Sequence, residues 1–116
     1  MSFQHQNLAL QGWSRFSLAE QLADVGSEVY RALKWQKRDK KLYEKALERV
    51  LELLDLTIKD MRWRKRLKEI TRLREVFCDT IWGEKQYKTE LTDILKYLDY
   101  FAFKAAALKN KENVLT

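Results

Sequence analysis

"SLAEQLADVGSEVYRALKWQK", residues 17–37, decides the fold. Leu18, Leu22, Val25, Val29 and Leu33 recur at three- and four-residue spacing, so a helix gathers them on one face. Ala19, Ala23 and Gly26 form a second stripe beside that face. Small side chains there admit a neighbouring helix at close range, which predicts a helix covered on two sides. Ser17 reads as the N-cap, Glu20 completes a capping box, and Phe16 precedes it as a staple.

The same period continues outward. After the charged break "QKRDKK" a second helix is expected over residues 39–59, with Tyr43, Ala46, Leu47, Val50, Leu51, Leu53, Leu54 and Ile58 as its apolar set. A third is expected over 62–82, turning Trp63, Leu67, Ile70, Leu73, Phe77 and Ile81 inward, with Gly83 as its stop. A fourth, over 90–109, carries Leu91, Ile94, Leu95, Leu98, Phe101, Ala102 and Ala105. Proline is absent and only three glycines occur in 116 residues, which leaves strands and tight turns without their punctuation. The expectation is all-α: an antiparallel up-down four-helix bundle over 13–110, with a flexible arm at 1–12 and a tail at 111–116. No connection is long enough to cross the length of such a bundle.

With 46% apolar and 34% charged residues, the composition fits a compact soluble domain. The single cysteine, Cys78, cannot form an internal disulfide, which favours a reducing compartment. The longest uncharged stretch, residues 1–14, is too short and polar for a bilayer and lacks the pattern of a signal peptide. Cytoplasmic residence without a membrane partner is therefore expected. No Glu-x-x-His pair or other metal-ligand spacing occurs, and His5 is isolated in the arm. Neither a metal nor a cofactor is implied, and no catalytic motif is present, so the chain reads as a non-enzyme.

The net charge is +6, and residues 59–74 hold eight cations against two carboxylates, a segment that is itself +6. On a continuous helical wheel Arg64, Lys65, Lys68 and Arg72 form an outward ridge, with Arg62 on its flank. A second basic zone surrounds the first inter-helix break: Lys34, Lys37, Arg38, Lys40 and Lys41. Arg15 is a further contributor. Such side chains on a rigid helix neutralise phosphates, giving sequence-independent, salt-sensitive binding of RNA or DNA. The alternative is a solvated face that maintains solubility. Trp63, in phase with Leu67 and Ile70, reads as core rather than as a base-stacking ring.

Arg74 falls inside the apolar arc, where a charge needs a partner. Glu28 and Asp55, at the edges of other apolar arcs, are the expected partners in a structural ion pair. Leu56, Tyr100 and Phe103 fall off the inner faces, and bulky exposed apolar residues mark an interface, most simply a homo-oligomer's.

In "REVFCD", Arg74 is followed after four residues by Asp79. This resembles the arginine-spacer-histidine motif of HEPN-type helical bundles, with an aspartate that cannot replace imidazole chemistry. The resemblance implies a non-catalytic module that partners a nucleotidyltransferase or toxin, which is the alternative reading. Over more of the chain, "GWSRFSLAEQLADVGSEVYRAL" and "RVLELLDLTIKDMRWRKRLKEITRLREVFCD" resemble the Avd-like and ribosomal intervening-sequence group of four-helix bundles. That resemblance implies a ring-forming accessory protein that binds nucleic acid and assists a larger enzyme, a reverse transcriptase.

Overall fold

A computed structural model describes residues 12–84 and 89–115, with side chains described as far as Ala107. The chain forms α1 (Leu18–Trp35), α2 (Lys40–Lys59), a 3-10 helix (Met61–Arg66), α3 (Leu67–Trp82) and α4 (Leu91–Leu115). The described residues contain no strand, and the four α-helices make the expected antiparallel bundle. The described part of the arm is short: Gly12 and Trp13 begin a helical turn in which the Arg15 and Phe16 amides donate to their carbonyls. The remainder of the expected arm lies outside the described residues.

Local chemistry fixes the helix ends. Ser17 Oγ accepts from the Glu20 amide, and the Glu20 carboxylate accepts from the Ser17 amide, so the capping box is complete. Asp39 caps α2 by accepting from the Leu42 amide at 3.1 Å. Gly83 ends α3 for a steric reason, because a Cβ there would stand 2.7 Å from the Asp79 Cα. α4 runs on to Leu115, so 111–115 continue the helix instead of forming the expected tail.

α1 is the central helix and packs along both α2 and α4. Leu18, Leu22, Val25, Val29 and Ala32 are buried, while Leu33 is only half-buried. The small stripe brings α4 close: a Cβ on Gly26 would stand 3.1 Å from the Leu98 Cβ. α3 lies against α2 and α4 and contributes only Ile70 and Phe77 to the fully enclosed core. Its start corrects the sequence reading. Met61–Arg66 is 3-10 rather than α-helical, with a break at Trp63 (φ −100°, ψ 21°), so one wheel does not describe residues 62–82. Leu67, expected in the core, is consequently exposed. Leu56, expected at an interface, is 5% exposed: α2 is covered on two sides, so its buried arc extends past the wheel's apolar sector.

Candidate nucleic-acid interface

The basic turn after α2 is held by a buried polar cluster. Asp60 ends α2 and caps the 3-10 helix, accepting from the Arg62 amide at 3.1 Å. The Arg62 guanidinium grips the same carboxylate through Nε at 3.0 Å and Nη2 at 2.7 Å, and also donates to the Phe16 carbonyl at 2.6 Å. Fully buried Gln21 donates to Asp60 Oδ2 and to the Trp13 carbonyl, and its own carbonyl accepts from the Trp63 indole at 2.8 Å. The Trp13 indole donates to Thr57, which donates to the Leu53 carbonyl. No buried side-chain nitrogen or oxygen among the described residues lacks a partner, so the cluster fixes the turn without an orphan donor or acceptor.

Arg62, expected to bind phosphate, is thus committed to Asp60, which it holds below the ordinary carboxylate pKa. Trp63 is half-buried, with the Arg62 guanidinium 4.4 Å from its ring centre and its indole N–H donating to Gln21. The clamped turn leaves Arg64, Lys65 and Lys68 exposed, and none of them pairs with a carboxylate among the described residues. Arg15 is exposed at the same end, next to the Phe16 carbonyl that Arg62 holds. Arg72 is exposed one turn further along α3 and also lines a groove between α3 and α4 with Leu73, Val76, Ile94 and Tyr97. Arg66 pairs with Glu69 at 2.9 Å. The Tyr97 hydroxyl donates to Glu69 at 2.6 Å, and burial together with that carboxylate pushes the phenol pKa up to about 12.

Arg74 finds Asp55 at 2.8 Å, as expected, in a half-exposed pair. Its other expected partner, Glu28, pairs with Arg31 instead, because the i,i+3 neighbour on its own helix is nearer than α3. Arg74 also donates to Cys78 Sγ at 3.8 Å, and burial raises the thiol's pKa. Tyr100 (61% exposed) and Phe103 (75%) stand on the outer side of α4, as the sequence anticipates.

Lys37, Arg38, Lys40 and Lys41 are exposed at the opposite end of the molecule, where α1 ends and α2 begins. An 18-residue α1 separates the zones by ~27 Å. Sequence reading missed the extent of the second zone: residues 31–49 hold eight cations and three acids, an excess hidden when the whole chain outside the first segment sums to zero. It also missed Trp35, which lies with Arg31, Lys45 and Arg49 along a groove between α1 and α2. The indication was present in the Trp35 position beside the break, but which helix face would be uncovered depends on packing.

No group of three metal-ligating side chains occurs among the described residues, and no described helix is long and apolar enough to cross a membrane. No family model, curated protein or solved structure matches the chain.

Proposed function

We propose that this is a non-enzymatic accessory protein that binds RNA or DNA through phosphate contacts, working as a homo-oligomer beside a larger nucleic-acid enzyme such as a reverse transcriptase. The observation that carries the reading is the clamped basic turn: Arg64 and Lys65 on a short 3-10 helix anchored by Asp60 and Gln21, with Lys68 in the first turn of α3, are exposed and pair with no carboxylate among the described residues. Flexible lysines in solvent need no such anchor. A fixed cationic surface loses little freedom when phosphates arrive, and release of their counterions then drives binding. The resemblance to the Avd-like group supports the same reading, and its accessory role is what brings in the larger enzyme.

The test is fluorescence anisotropy with labelled RNA and DNA oligonucleotides over a salt series. With about four phosphates neutralised, raising salt from about 50 to 200 mM should weaken binding roughly 50-fold for a single strand and roughly 150-fold for a duplex. Reversing Arg64, Lys65 and Lys68 to glutamate should cost at least about tenfold and flatten the salt slope. No binding at low salt, or affinity indifferent to salt, would overturn the reading.

A second reading rests on Tyr100 and Phe103. Two largely exposed aromatic rings on one helix support a protein partner, as in the HEPN-like alternative, and it predicts that the charge reversals leave partner capture intact.

A further inference from the structure

The groove between the end of α1 and the start of α2 has a different character from the basic turn. It measures about 270 Å³, and Trp35 forms part of its wall with Leu42 and buried Ala46. Arg31, Lys45 and Arg49 stand along it, and Lys34 lies 5.3 Å from the Trp35 ring centre. Among the described residues Arg31 and Arg49 hold only i,i+3 ion pairs, with Glu28 and Glu52, and both arginine side chains are about half-exposed or more. Such pairs are weak and exchange readily for a phosphate, which accepts in a bidentate manner. Lys45 pairs with no carboxylate among the described residues. A bare anion would use the cations but not the indole, and Glu28 at the groove would repel it. A nucleotide uses all three: its base stacks on Trp35, its phosphate meets Lys45 and the arginines, and its amino or hydroxyl donors face Glu28.

We propose that the Trp35 groove takes one unpaired nucleotide of a bound strand, so that the protein prefers single-stranded over duplex nucleic acid. This rests on the nucleic-acid reading above and adds what that reading lacks, a reason for strand selectivity. Trp63 is the poorer platform: its indole N–H donates to Gln21, and the Arg62 guanidinium lies 4.4 Å from its ring centre, closer than Lys34 lies to Trp35 at 5.3 Å. Trp35 is only partly buried. In a duplex the bases are paired and stacked, so only the sequence-independent phosphate contacts remain.

The experiment compares a single-stranded 12-mer with a duplex of the same sequence at low salt, by anisotropy and by quenching of tryptophan emission. Wild type should bind the single strand more tightly and show quenching. Trp35→Leu should weaken single-strand binding ~5- to 150-fold, abolish part of the quenching and leave duplex affinity unchanged. Trp35→Phe should restore most of the affinity. Lys45→Ala, at an exposed helical position that tolerates alanine, should weaken the single strand more than the duplex even if Trp35→Leu folds poorly. Equal losses on both strands, or no loss on either, would overturn the groove while leaving the phosphate-binding reading in place. Failure of wild type to bind either strand would overturn both.

Discussion

Asp60 closes α2 with its backbone amide, which donates to the Thr57 carbonyl, while its carboxylate opens the 3-10 turn and joins Arg62 to Gln21. Removing it leaves Arg62 facing the Phe16 carbonyl alone and strips Gln21 of an acceptor. Asp60→Ala should therefore lower the unfolding free energy by about 2–3 kcal/mol, measured by urea denaturation. The pH dependence has a definite sign. Arg62 depresses the folded pKa below 3.8, so the stabilisation is complete above that value and is lost as pH falls through the depressed one. Asp60→Asn, which cannot titrate, should flatten that acid limb. Arg74 provides the contrast. Its pair with Asp55 leaves the two side chains 40% and 38% exposed, and water screens it. Arg74→Ala should cost no more than about 1 kcal/mol in the same measurement.

Among the elements, α1 holds the bundle together because it is apolar on one face and small on the next. Gly26 is the position where that matters most, since the backbone of α4 lies against it. Valine there must push Leu98 away. Gly26→Val should cost about 1–3 kcal/mol in thermal or denaturant unfolding, whereas Gly26→Ala should be close to neutral, its helix propensity offsetting the tight contact. α3 is anchored differently. With only Ile70 and Phe77 fully enclosed, it leaves an apolar groove of about 270 Å³ against α4, and the clamped 3-10 turn compensates by fixing its start.

Across the whole molecule, positive charge is divided between the two ends of the bundle, while Tyr100 and Phe103 mark the outer side of α4. If those rings meet a second copy, sedimentation at micromolar concentration should show a species larger than the monomer. Tyr100→Ser with Phe103→Ser should return it to the monomer without loss of helix content. A wild-type monomer at every concentration would remove the homo-oligomer from the proposed function and leave the phosphate surface untouched.

The helices were legible because periodicity is local. Ser17, Glu20, Asp39 and Gly83 signal their ends through chemistry within three or four residues, and the α1 face follows from spacing alone. The Arg74–Asp55 pair was legible too, since a charge in an apolar arc must find a partner. What the sequence could not decide was which cations remain available. Arg62 and Arg64 are two residues apart and chemically identical, yet one is clamped on Asp60 and the other projects into solvent. That difference arises from the turn at Trp63, which breaks the wheel and depends on Gln21 from a distant part of the chain. The burial of Leu56 and the placement of Trp35 along a groove between α1 and α2 have the same origin. Sequence spacing determined the helices and their apolar faces, whereas helix packing decided which side chains are spent within the protein and which are left to meet a partner.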